Sequence, residues 1–415
     1  MTTQEAEAGI RNPSINGIQM PQLTQAVWHY RREKMLRLMD ELAVDALMFT
    51  TADFFQYATN FHTDVQPWER PIFAVIPRHG DGFLIMNELS IHHMRFSLEA
   101  EKVWVTDVTY YAEHPMVHNR LPLISQLPEV LAGRLKQAGL HRARIATDGG
   151  SGVLTATQRL LPELHIRVAT SECRSLRWQK HAEELAVMQA IAGLSDWIQD
   201  RYREHIRPGR LVQELDCAMA SLLVQEAAER FPGEQFEVVR CWTLSGPASA
   251  SPHGDGASCG ARIKEGDVLV NIVIPRLNGL TIENERTWFC GAPDEQKKAL
   301  WRVARDATAA AIDSAITGNP VCSIDAAAQA VIERAGHAAC IRHRTGHAIG
   351  IVHHEYPEDM AFSQRPLLDN EVYSAEPGLY VYGVGGFRLD DTVVVGATPR
   401  VLTSTPKSLE YAIVG

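Results

Sequence analysis

Disulfide patterns are missing from this sequence. Its seven cysteines are odd in number and scattered, with no C-x-x-C pair, which excludes a disulfide framework and reads as free thiols in a reducing compartment. Long apolar runs are missing too. The longest, such as 268–275, are strand-length, far short of the ~20 residues that a membrane helix needs. Positive charge is scarce: 40 basic against 50 acidic residues leave a formal net charge of −10. That balance repels phosphate backbones and argues against a nucleic-acid partner. The opening MTTQEAEAG lacks the charged-then-apolar layout of a secretory signal. The expectation is a cytoplasmic protein that meets a small molecule, with no membrane or nucleic-acid partner.

What the chain has is length and a core. Its 415 residues are too many for one ordinary domain and comfortable for two. Apolar residues make up 45% and charged residues 22%, the profile of a packed globular protein that needs no disulfide or structural metal to hold it. Residues 1–22 show little periodicity and read as an N-terminal arm. From 25 to 42 apolar residues recur at helical spacing. Strand-like runs follow at 44–50, 72–76, 82–86 and from about 145, with helices at about 126–138 and 153–161. This alternation predicts a smaller α/β domain over 23–172.

Beyond it, 181–205 and 211–230 read as long helices, followed by strand-like runs at 236–244, 267–275 and 280–290. A second helix pair covers about 294–317 and 323–336, with Asp294 placed to cap the first and Gly318 to end it. Residues 371–396 are strand-rich. Two helices, strands, two helices, strands predict an internally duplicated α+β domain over 173–415.

Five places could carry chemistry. In SGPASASPHGDG (245–256), His253 sits on a proline- and glycine-flanked loop, suited to moving protons near neutral pH. Read alone it is one of 17 histidines, a residue type that mostly serves surfaces or satisfied hydrogen bonds. In TIENERTWF (281–289), Glu283 and Glu285 are two apart and share one face of a strand. They could bind a cation or a metal, share a proton, or form a solvated edge. In RTGHAIGIVHHEYPED (344–359), His347 and His354 are seven apart, not at the spacing of a helical zinc motif. Glu376 lies between a strand and a Pro-Gly turn, and Asp390 and Asp391 interrupt a strand in GGFRLDDTVVV. Buried there, these carboxylates would require cationic or metal partners.

Taken in order, the loop histidine, strand carboxylates, G-H-x-I-G, E-P-G and G-x-R-x-x-D resemble the creatinase/aminopeptidase (M24, methionine aminopeptidase-like) family over about residues 24–410. The resemblance implies an α+β fold: a C-terminal pita-bread domain with a smaller α/β N-terminal domain. It also implies a homodimer. Metal-dependent members hold two divalent ions with two aspartates, a histidine and two further acidic residues. By resemblance these fall on Ile272, Glu283, His347, Glu376 and Asp390. Isoleucine cannot ligate an ion, and Asn271 beside it should face the other way.

Glu285 stands where those enzymes carry threonine and where metal-free creatinase carries glutamate. Creatinase's catalytic histidine falls on His253 and its two substrate-gripping glutamates on Glu285 and Glu376. Its carboxylate-binding arginine, supplied by the partner subunit, resembles Arg70 in PWERPIF. The residue corresponding to its second such arginine falls near Glu358, so creatine itself is not assigned. The resemblance therefore implies a metal-independent hydrolase with no cofactor, cleaving a non-peptide C–N bond in a guanidino or amidine compound such as creatine or ectoine. In that reading His253 is general base and acid, and Glu285 and Glu376 clamp the cation by charge-assisted hydrogen bonds. Arg70, Glu283, His347, His354 and Asp390 complete the substrate-binding wall. Two readings stand beside it. One is a metal-dependent X-Pro dipeptidase-like hydrolase with a single divalent ion at Glu283, His347, Glu376 and Asp390, a set acceptable to zinc, manganese or iron. The other is a non-enzymatic binding module on the same fold.

Overall fold

The computed structural model describes residues 22–63, 65–112, 126–252, 257–356 and 360–415. His253 and all but the last residue of the expected arm lie outside the described residues.

The first part is built on strands β1 (Ala46–Phe49), β2 (Phe73–Pro77), β3 (Phe83–Asn87), β4 (Val108–Tyr111), β5 (Arg144–Thr147) and β6 (His165–Val168), in the order β4-β3-β2-β1-β5-β6. β2 runs antiparallel to β1 and β3, and the remaining pairs are parallel. Successive strand residues face opposite sides, and both sides are covered. Leu47 and Phe49 join a cluster with helices α1 (Gln25–Leu42) and α2 (Ala52–Thr59). Ala46 and Met48 pack on the other side, with residues of the later helices α4 (Leu127–Gln137) and α5 (Gly152–Leu160), which follow α3 (Ile91–Glu99). Burial on both faces explains why β1, β2 and β3 read as continuous apolar runs.

After a short α6 (Thr170–Arg174) come α7 (Ala182–His205) and α8 (Val212–Arg230). They pack on a sheet of β7 (Phe236–Ser245), β8 (Val268–Leu277), β9 (Leu280–Thr281), β10 (Asn284–Cys290) and the C-terminal β16 (Ile413–Val414). Helices α9 (Glu295–Ser314) and α10 (Cys322–Arg334) precede the short strands β11 (Val372–Ala375), β12 (Gly378–Val381), β13 (Gly385–Arg388), β14 (Asp391–Val394) and β15 (Arg400–Val401). A final turn of helix, α11 (Leu409–Ala412), leads into β16.

The run expected as one strand over 280–290 is two, β9 and β10. Pro275 has no N–H to give to a ladder, and by the hairpin register it stands opposite the break at Ile282. The hairpin turns on Asn278-Gly279, both at positive φ (47° and 77°), as a tight two-residue turn requires. A side chain at Gly279 would collide with Gln56, whose amide donates to the Gly279 carbonyl at 2.9 Å. The tip of this hairpin is thus seated on α2 of the smaller domain.

Buried charge crosses the same seam. Arg31 of α1 meets Glu184 of α7 at 2.6 Å. Arg177 binds Glu355 at 2.6 Å and also Asp53 of α2, while Lys180 reaches the other Glu355 oxygen at 3.0 Å. Among the described residues no helix is long and apolar enough to cross a membrane.

Candidate active site

The site forms where the two halves of the larger domain face each other. Glu285 on β10 and Asp390, just before β14, exchange backbone hydrogen bonds in both directions, at 3.3 and 3.0 Å. The 345–348 segment lies beside β11: Ser374 N donates to His347 O at 2.8 Å and Glu376 N to Thr345 O at 2.7 Å. These pairings bring Glu283, Glu285, His347, Glu376 and Asp390, all buried, into one centre. The donor atoms of Glu283, His347 and His354 lie within 4.8 Å of one another, as do those of Glu285, Glu376 and Asp390.

His347 is the pivot. Its Nδ1 lies 3.0 Å from the Ala348 carbonyl, an acceptor only, so Nδ1 carries the proton. Nε2 then faces Glu283 and Glu376, each at 3.3 Å. Burial opposes a charged ring, but the two carboxylates hold His347 well above the usual histidine range. Burial and then the like charges of Glu285, Glu283 and Glu376 push Asp390 well up. Its Oδ2 is buried without a hydrogen-bond partner among the described residues. Burial also raises Glu285, whereas the His347 hydrogen bond and Arg388 overcome burial at Glu376 and hold it low. His354 stacks on His347 with ring centroids 3.7 Å apart. Burial and then His347 depress it to about 4.

A guanidinium is already present, and it belongs to the protein. Arg388 Nε lies 2.5 Å from Glu285 Oε2 as an ion pair, and Nη2 donates a charge-assisted hydrogen bond to Oε1 at 3.1 Å. Nη1 reaches Tyr380 Oη at 3.3 Å, and that hydroxyl lies 2.7 Å from His343 Nε2. Arg388 stood in the G-x-R-x-x-D motif but received no role from sequence, because a motif letter does not show which carboxylate it meets.

Ile272 lies directly opposite Glu285 on β8, with Trp242 of β7 as its partner on the other side. Asn271 faces away, accepting from Trp288 Nε1 at 3.0 Å and donating to Gln199 at 2.8 Å. Four carboxylates, Glu283, Glu285, Glu376 and Asp390, therefore face one arginine and a histidine with its free nitrogen turned inward. The donor set is short of positive charge and fits a divalent ion of the transition series.

Six of the expected residues are brought together: Glu283, Glu285, His347, His354, Glu376 and Asp390. Arg70 lies on the loop before β2 with its guanidinium 2.9 Å from Glu69. His253 lies outside the described residues. The root of its loop is held at Ser249, whose hydroxyl accepts from Gly386 N of β13 at 2.9 Å.

Comparison with known proteins agrees with this geometry. Residues 186–397 match the family described as Metallopeptidase family M24. The protein named "Probable dipeptidase PepE" of Mycobacterium tuberculosis is 30% identical over 262 residues, spanning 60% of this chain and 68% of that protein. The Xaa-Pro dipeptidase of Pyrococcus furiosus is 27% identical over 237 residues, 57% of this chain and 66% of that one. The crystal structure of dipeptidase PepE from Mycobacterium ulcerans matches with a TM-score of 0.77 at 25% identity, covering 95% of this chain and 99% of the other.

Two expectations are corrected by these findings. The reading as a metal-independent, creatinase-like hydrolase of a guanidino or amidine compound gives way, because the relatives are named as dipeptidases. The expectation of no cofactor gives way to a metal-dependent family. The physical reason is on the strand pair. Ile272 removes one carboxylate, but Glu285 across the ladder restores the count, and the cation it grips is Arg388.

Proposed function

The chain belongs to metallopeptidase family M24, and from that premise we propose that it is a metal-dependent dipeptidase of the Xaa-Pro type, hydrolysing a peptide C–N bond with one divalent ion. The observation that carries the reading is the inward nitrogen of His347. With Nδ1 committed to Ala348 O, Nε2 points at two carboxylate oxygens, each 3.3 Å away. Glu283, His347, Glu376 and Asp390 would hold the ion, with Ile272 leaving one seat fewer than in the two-ion members. When bound, such an ion supplies Lewis-acid polarisation of the scissile carbonyl and acidifies water.

The chain's own residues do the rest. Glu376 accepts a proton from the attacking water, since Arg388 and His347 keep it ionised. His354, at the open edge of the His347 stack, donates a ring N–H to the substrate carbonyl. Arg388 holds the Glu285 carboxylate off the reacting centre and offsets the surplus negative charge. His253 delivers a proton to the departing nitrogen. Arg70 contributes from a neighbouring subunit in a homodimer.

The test is hydrolysis of Ala-Pro, Leu-Pro and Ala-Leu by EDTA-dialysed protein resupplied with manganese, cobalt or zinc, alongside metal content per chain. Activity and about one tightly held ion should return together. Failure of every metal to restore cleavage of any dipeptide overturns the reading.

A further inference from the structure

The strands around the centre carry a cation that the proposed chemistry has not used. Arg240 and Trp242 are two apart on β7 and share the face that Ile272 and Glu285 occupy, because Arg240 pairs with Ile274 and Trp242 with Ile272. Trp242 is 37% exposed on that face. The Arg240 guanidinium lies over its indole, 4.2 Å from the ring centroid, where stacking fixes the plane of the fork. Among the described residues no carboxylate is paired with Arg240. Continuing the β8–β10 register one pair past Val273–Asn284 sets Glu283 against Ile274, the residue that pairs with Arg240. A half-buried, pre-oriented guanidinium thus stands at the edge of the centre, separated from it by apolar Ile272 and Ile274.

We propose that Arg240, held on Trp242, binds the free C-terminal carboxylate of the dipeptide and that the Trp242–Ile272 surface receives the apolar side chain next to it. The inference rests on the dipeptidase reading and adds what selects the substrate's length. A two-residue peptide places its terminal carboxylate one residue beyond the scissile bond, within a short span of the metal-binding residues. A longer peptide or an amide presents a neutral group there and leaves the guanidinium desolvated without a counter-charge. The isoleucine that cannot ligate an ion then has a use: it keeps the floor beneath the substrate dry, which strengthens the Arg240–carboxylate pair.

The test compares Leu-Pro with its C-terminal amide, using metal-loaded wild-type protein and the variants Arg240→Gln and Arg240→Lys. The wild type should favour the acid by about 10- to 100-fold in kcat/KM. In Arg240→Gln that preference should fall at least tenfold, through KM rather than kcat, with metal content per chain preserved. Arg240→Lys should recover part of it, since charge is kept while the planar fork is lost. A variant that cleaves Leu-Pro with the wild-type acid-to-amide ratio overturns the role of Arg240 and leaves the dipeptidase reading standing. If the wild type cleaves neither compound under any metal, the dipeptidase reading fails, and titration of a reduced-bond Leu-Pro acid against its amide decides Arg240 separately. Equal binding of the two by the wild type overturns it, and acid-selective binding lost in Arg240→Gln supports it.

Discussion

Replacing Glu355 with glutamine should weaken the protein more at neutral pH than in acid. Glu355 follows His354 directly, and its carboxylate anchors Arg177, the side chain that also reaches Asp53 of the smaller domain. Arg177 donates to Oε1 from Nε at 3.1 Å and from Nη2 at 2.6 Å, while Lys180 donates to Oε2 at 3.0 Å. Ile351 N also donates to Oε1, at 2.7 Å. Burial alone would raise the carboxyl, but Arg177 and Lys180 more than reverse this and hold it at about 2.

A carboxyl depressed on folding adds stability that is complete above its unfolded pKa and is lost as pH falls toward the folded value. Lowering from the ordinary 4.5 to about 2 corresponds to roughly 3 kcal/mol at pH 7, at about 1.4 kcal/mol per pKa unit. By pH 3.5 the same linkage leaves roughly 2 kcal/mol. Urea unfolding of the wild type and Glu355→Gln at pH 7, 5 and 3.5 measures this. The gap should be widest at pH 7, nearly the same at pH 5, and visibly smaller at pH 3.5. A gap under about 1 kcal/mol at pH 7, or one that does not narrow in acid, would refute the reasoning, since neither fits a charge stabilised by buried partners. The variant should also lose activity, because the turn that sets His354 on His347 is tied at Glu355, whose N–H donates to Ala348 O at 2.7 Å.

Three further outcomes are expected. Ile272→Asp places a carboxylate directly opposite Glu285, so the metal-free variant should lose about 3 kcal/mol or more, while metal content rises from one toward two per chain; undiminished stability without metal would count against the crowding of charge described here. His253→Ala should lower kcat about 10²- to 10⁴-fold with the thermal midpoint kept, and near-normal turnover would remove His253 from the mechanism. Glu285→Gln breaks the buried pair with Arg388 at a cost of about 3–5 kcal/mol in denaturant unfolding, and a loss within experimental error would show that the pair is not what holds Arg388.

The larger elements were legible because their cause is local. The apolar period of 25–42, 181–205 and 295–314 and the buried runs of β2, β3 and β8 are set by burial on helix stripes or sheet faces. Shorter elements such as α2, β4 and β6 were not foreseen, since their few residues owe their form to neighbours distant in sequence. The site residues were legible as motif letters, and six of them do converge. Their chemistry was not: Ile272 as a lost ligand and Glu285 as a clamp for an organic cation together point to a metal-free site, whereas Glu285 meets the chain's own Arg388.

The correction was within reach of the sequence. Asn278-Gly279 is a two-residue hairpin signal, and a turn there pairs 277 with 280, 276 with 281 and, continuing the count, 272 with 285. The observed register is the same. A carboxylate absent from one strand and present at its direct cross-strand partner is a displaced charge, because both side chains project from one face at neighbouring positions. The identity of that charge's partner was beyond the sequence. Arg388 reaches Glu285 only after β13 returns beside β10, a contact spanning 103 positions. The proposed metal dependence therefore turns on the whole charge of the centre: four buried carboxylates exceed what one guanidinium and one imidazole can balance, and the inward nitrogen of His347 marks where a divalent ion would sit.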